Sequence, residues 1–152
     1  MRIAPASILA APAPVLAFAL GGLIPFVGLA ALGMFAPGVL RLLWLTSLAQ
    51  YGAVILAFVG ALQWGYAVAG QARGAQAWIR YGWSVLPALV GCLSLKFPVW
   101  AGLRVQTVAL IVSVAVDRAF AAKYAAPVWL MPVRYLLTAV AAACLFVASY
   151  AG

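Results

Sequence analysis

The sequence contains no histidine, and Asp117 is its only acidic residue. Without an imidazole the chain lacks the commonest general base, the commonest metal ligand and the commonest axial haem ligand. A single carboxylate also excludes the paired acids on which much acid–base chemistry depends. The two cysteines, Cys92 and Cys144, both lie in apolar runs, where cysteine packs as a small hydrophobic residue. Nothing in the chain has metal-ligand spacing. No enzymatic activity, cofactor or metal is therefore expected. Charge is scarce as well: 7% of residues are charged and 69% are apolar, whereas a soluble domain carries about 25% charged residues. So few charges cannot cover so much apolar surface, and the solvent must be lipid.

What charge there is has nearly one sign, with nine Lys or Arg giving a net +8. The basic residues stand singly between apolar runs and form no grooved basic surface, so nucleic acid is not an expected partner. They read instead as topology signals and contacts to anionic headgroups.

A single membrane domain is expected over 1–152, with spans near 14–35, 45–69, 79–95, 98–117 and 128–150. The fold class is all-α, a bundle of five transmembrane helices. The beginning of the chain, with Arg2 and several Ala-x-Ala sites, has features of a signal peptide. Its apolar stretch runs on to Leu40, however, so a retained first span is expected. Pro25 and Pro87 fall inside spans, where a kink is tolerated if neighbours satisfy the freed carbonyl. Ala36-Pro37-Gly38 and Lys96-Phe97-Pro98 read as turns. Positions 105–116 give only twelve uncharged residues, short of the ~20 a span needs. Arg104 is thus expected to snorkel, or else to line a cavity. Arg2, Arg73, Arg80, Arg118, Lys123 and Arg134 fall on one side of the membrane, and Arg41, Lys96 and Arg104 on the other. That bias points to a cytoplasmic N-terminus and an outer C-terminus, with the bacterial inner membrane as the expected location.

The stretch 49–69 is charge-free and carries small residues four apart: Ala49, Ala53, Ala57, Ala61, Gly65 and Ala69. Small residues let backbones approach where lipid supplies no hydrophobic drive for helix association. Composition alone can produce such a row in a chain rich in Ala and Gly. A packing face is still expected, because Leu56 and Leu62 lie off it. Gln63 is a polar amide in or near hydrocarbon, suited to bridging helices or lining a ligand site. Trp64 reads as an interfacial anchor or a stacking partner. Asp117 wants a cation, and Arg134 is expected at the same membrane face. Asp117 facing headgroup water is the other reading. Thr138 follows Arg134 by four residues and shares its helix face. Gln63, Trp64, Asp117, Arg134 and Thr138 are thus the candidate polar or ligand-lining residues. The tryptophans cluster at expected span ends, the pattern of an aromatic belt.

Three blocks resemble a known family. YGAVILAFVGALQWG is similar to a motif in which an aliphatic-Ser-Phe-x-Gly-Gly-x-His-Trp-Gly run is typical. Phe58, Trp64 and Gly65 match it, while Ala57, Ala61 and Gln63 replace its serine, second glycine and histidine. WSVLPALVGCLSL resembles a second block through Pro87. Pro127-Val128-Trp129, continuing through Arg134 and Thr138, resembles a third. The family is number 3429 among domains of unknown function, the transmembrane protein 69-like family. The resemblance implies a multi-span protein of bacterial inner membranes and mitochondria, and no known activity. The Trp-x-Pro-Pro signature of the similarly sized translocator family is not found. The leading expectation is a non-enzymatic accessory or assembly partner of a membrane complex, with the bilayer, other membrane subunits or a second copy as partners. The alternative is a binder or transporter of a small molecule or lipid between helices.

Overall fold

A computed structural model describes residues 7–124 and 126–152. Arg2, one of the six basic residues assigned above to one membrane face, lies outside them. Among the described residues every regular element is helical. A short 3-10 turn at Ile8–Ala10 leads into α1 (Ala13–Gly21), α2 (Leu23–Phe35), α3 (Gly38–Ala69), α4 (Gly74–Ser94), α5 (Val99–Lys123) and α6 (Leu130–Ala148). The rods Ala13–Phe35, Gly38–Ala69, Val99–Lys123 and Leu130–Ala148 are long and apolar enough to cross a membrane.

Proline divides the first rod into α1 and α2. Pro25 has no N–H to return to Gly21, and its ring presses on that carbonyl. The helix opens at Gly22, whose carbonyl accepts a 2.8 Å hydrogen bond from Tyr51 Oη of α3. The next turn is made by Ala36, Pro37 and Gly38, with Gly38 at a φ of 53°, where glycine has no Cβ penalty.

The helices overrun the expected span limits where no breaker stands. α3 starts at Gly38, not near position 45, because VLRLLW contains no residue that stops a helix. Arg41 and Trp44 therefore sit in its first two turns, and Arg41 Nε reaches back to the Ala36 carbonyl at 3.1 Å. α5 runs past Asp117 to Lys123, since RAFAAK is alanine-rich and free of Gly and Pro. The loop expected over 117–127 is correspondingly short.

α3 lies at the centre and packs on α2, α4, α5 and α6. Phe26, Leu45, Leu48, Leu56, Leu103, Leu110 and Leu145 form a fully buried core around its first half. Its contact with α4 is the most extensive in the chain. Gly60 makes it possible: a Cβ there would overlap the Ser84 carbonyl and touch the Pro87 ring, so this part of α4 lies directly on α3. Large apolar side chains such as Phe18, Val54, Leu89, Val108 and Phe146 point outward on every rod.

Candidate functional site

Asp117 is on α5, about two turns before its end, and is 4% exposed. Three groups on two other helices hold its carboxylate. Gln63 Nε2 of α3 donates to Oδ1 at 2.7 Å. Arg134 Nε of α6 donates to Oδ2 at 2.8 Å, and Arg134 Nη2 stands 2.7 Å from the same oxygen. The guanidinium thus pinches one oxygen and leaves the other to the amide. Nη2 makes a charge contact there, not an aligned hydrogen bond. Arg134 can reach Asp117 because α6 starts close by, with Pro132 in its first turn, where a missing N–H costs nothing.

Taking both charges out of water costs several kcal/mol each, roughly repaid by their attraction and by the hydrogen bonds around them. The pair therefore contributes little net stability but fixes α3, α5 and α6 in register. Trp64 takes no part. It is one residue on from Gln63, about 100° round the helix, half-exposed, with its ring edge-on to Tyr81 at 4.9 Å between centroids. Thr138 is buried one turn along α6 from Arg134, and its Oγ1 has no hydrogen-bond partner.

Arg134 and Thr138 also form part of the wall of a cleft of about 590 Å³. The α1–α2 rod, α3 and α6 form its walls. Phe18, Phe26, Phe58, Leu62, Trp129 and Leu137 line it, and Tyr66 adds a third polar side chain to its wall. Tyr66 lies within Coulombic range of both Asp117 and Arg134. The cleft is half open to the outside of the bundle, and its size falls in the roughly 300–1,000 Å³ range of ligand pockets.

A second polar layer lies deeper along α3 and α5. Gln106 is fully buried, and its Nε2 donates to the Ala49 carbonyl and to Ser94 Oγ, each at 2.8 Å. Gly52 faces it, and a Cβ there would collide with Gln106 Oε1. Sequence reasoning missed this layer. Its one available signal was a lone glutamine in the apolar run VQTVALIV, opposite a glycine on α3.

Arg80 and Arg104 take opposite settings. Arg80, expected only to mark a membrane face, is buried, with its guanidinium 4.6 Å over the Tyr124 ring. Arg104 is exposed, between Trp100 at 5.2 Å and Tyr150 at 5.1 Å, and donates to Ser149 Oγ at 3.2 Å. Of the small-residue row, Ala49 and Ala53 are buried and Ala57 is half-buried, while Ala61, Gly65 and Ala69 are exposed. Rows four apart drift about 40° per step round a helix of 3.6 residues per turn. The row therefore leaves the buried face after Ala57, and Gly60 and Gln63 occupy that face in its place.

The family model described as "Protein of unknown function (DUF3429)" matches residues 11–150. Transmembrane protein 69 of Xenopus tropicalis is 33% identical over 139 residues, which cover 86% of this chain and 51% of that protein. The chain thus spans about half the length of that relative. No solved structure matches it. The matched region takes in the whole polar triad and the cleft, and the long apolar helices agree with a relative named for its place in the membrane. The chain belongs to the DUF3429 family of membrane proteins.

Proposed function

We propose that the chain is a five-span protein that binds a hydrophobic small molecule or lipid in the cleft between the α1–α2 rod, α3 and α6. The observation that carries this reading is the cleft itself, whose lining is apolar except at one corner. Its volume is that of a ligand pocket, and a single polar corner in an otherwise apolar wall is the pattern of a site that orients a mostly hydrophobic occupant. The expected result is that protein purified in mild detergent from its native membrane carries about one equivalent of a hydrophobic molecule. Ala19→Trp, which fills the cleft from α1, removes it. An equal yield of extractable molecules from both proteins contradicts the reading.

The fifth span is α4. It is built inside-out, burying Arg80, Ser84 and Ser94 while exposing Trp78, Ile79, Val85, Leu86, Leu89 and Leu93. Such a face suits lipid and not water. At 21 residues it is about 32 Å long, close to the ~30 Å hydrocarbon core. The excess of basic residues at the end shared by the α3–α4 loop, the end of α5 and the start of α6 favours the cytoplasmic side for that end. The bacterial inner membrane is the corresponding location.

A second reading, an accessory partner in a membrane complex, is favoured by the exposed half of the small-residue row. Ala61, Gly65 and Ala69 form a shallow groove with Phe58, Leu62 and Tyr66 that a partner helix or a second copy can approach closely. A stoichiometric partner that copurifies with the wild type and is lost from Gly65→Leu supports this reading. An unchanged monomer in native lipid contradicts it.

A further inference from the structure

We propose that the cleft selects a neutral hydrophobic molecule whose polar head accepts hydrogen bonds, such as a ring carbonyl, seated at the corner of Tyr66, Arg134 and Thr138. This rests on the ligand-binding reading above and adds the class of ligand.

The polarity of the cleft is concentrated in one place. Among the described residues, Tyr66, Arg134 and Thr138 are the only lining residues with polar side chains apart from the Trp129 indole. Arg134 and Thr138 are each 6% exposed; Arg134 Nη2 is taken up by the Asp117 carboxylate at 2.7 Å, but Thr138 Oγ1 is a buried polar atom without a hydrogen-bond partner. Buried polar atoms are nearly always paired, so an orphan hydroxyl on the wall of a ligand-sized cleft points to a group that meets it. Thr138 Oγ1 rides on a single rotatable bond, and its hydroxyl hydrogen turns to suit a partner. The Tyr66 hydroxyl makes no hydrogen bond among the described residues. An arginine only donates, and a threonine or tyrosine hydroxyl can donate, so the group common to all three is an acceptor.

Charge then selects among acceptors. Arg134 is already matched one-to-one by Asp117, so the corner carries no net charge. An anionic head meets the repulsion of the Asp117 carboxylate, which lies 2.7 Å from the same guanidinium. A cationic head meets Arg134. In a low-dielectric setting either mismatch outweighs a hydrogen bond. A neutral carbonyl meets neither. The aromatic rings of Phe18, Phe26, Phe58, Tyr66 and Trp129 around the cleft further favour a flat, ring-bearing head.

The test uses the full chain in lipid nanodiscs, with thermal unfolding followed against probe concentration. Three probes are compared: decylubiquinone (neutral, with ring carbonyls), laurate (anionic) and dodecane (no polar end). The expected result is a saturable rise in Tm that requires least decylubiquinone. Thr138→Val removes a partnerless hydroxyl without opening a cavity, so its own stability holds. Its apparent Kd for decylubiquinone is about three- to tenfold weaker, the worth of one hydrogen bond, and Thr138→Ser stays near the wild type. Tyr66→Phe provides a second, independent loss. Equal or tighter binding of laurate or dodecane overturns the selection for a neutral acceptor while leaving the cleft as a binding site. Unchanged decylubiquinone affinity in both Thr138→Val and Tyr66→Phe also overturns it. No saturable response to any of the three probes overturns the ligand-binding reading as well.

Discussion

The one carboxylate of the chain is held from both sides, and this sets the cost of disturbing it. Arg134→Leu leaves Asp117 buried without its cation, a loss of about 3–5 kcal/mol. Asp117→Asn in the same protein removes the stranded charge, so the double variant is expected to recover much of the loss. Thermal unfolding in detergent checks this, and simple additivity of the two single losses contradicts it. Gln106→Leu removes two hydrogen bonds and strands no charge, so it is expected to cost only about 1–2 kcal/mol. Asp117 and Arg134 were legible as partners, because a lone acid at a helix end has few cations on its own membrane face. Gln63 was legible as a polar group in hydrocarbon but not as a third member of the same cluster. Its contact with Asp117 depends on how α3 and α5 rotate, and both the bridging and the lining roles fitted the residue alone. Gln106 was not legible, since its partners are a backbone carbonyl and a serine on other helices.

At the scale of the helix, the buried face of α3 follows the 3.6-residue turn and not the four-residue row. Gly60 belongs to the buried face and Gly65 does not. Gly60→Ala drives a methyl into the Ser84 carbonyl, which is backbone and cannot swing aside. Its expected cost is about 1–3 kcal/mol. Gly65→Ala enters open space and removes a glycine from a helix interior. Its expected effect lies between neutral and about 1 kcal/mol of stabilisation. Comparable losses from both substitutions contradict the assignment of faces. Helix existence was readable from apolar run length, and turns from their Pro and Gly. Helix ends were not, because the sequence marks the membrane boundary with charge while a helix ends only at a breaker or cap. α3 and α5 both continue through their charged residues for this reason.

Among the described residues the molecule is a bundle held by two polar layers, with a lateral cleft. If α4 spans the membrane, the α3–α4 and α4–α5 connections lie on opposite sides. With Cys92 and Cys144 replaced, a cysteine at Gln71 is expected to resist a membrane-impermeant maleimide in intact cells, while one at Lys96 is labelled. The reverse pattern inverts the orientation, and labelling of both contradicts a spanning α4. The lateral cleft was beyond the reach of the sequence. It depends on the break at Gly22 in the α1–α2 rod and on the Tyr51 bond that holds this rod to α3. The most direct measurement of its role is cross-linking with a diazirine-bearing alkyl probe in nanodiscs, with the modified residues mapped by mass spectrometry. The expected result is saturable modification concentrated on the half-buried cleft residues Ile55, Leu62 and Leu137, lost in Ala19→Trp, with only sparse, unsaturable labelling of outward residues such as Val54 and Val108. Even labelling over all lipid-facing side chains, unchanged by Ala19→Trp, would contradict a binding site in the cleft.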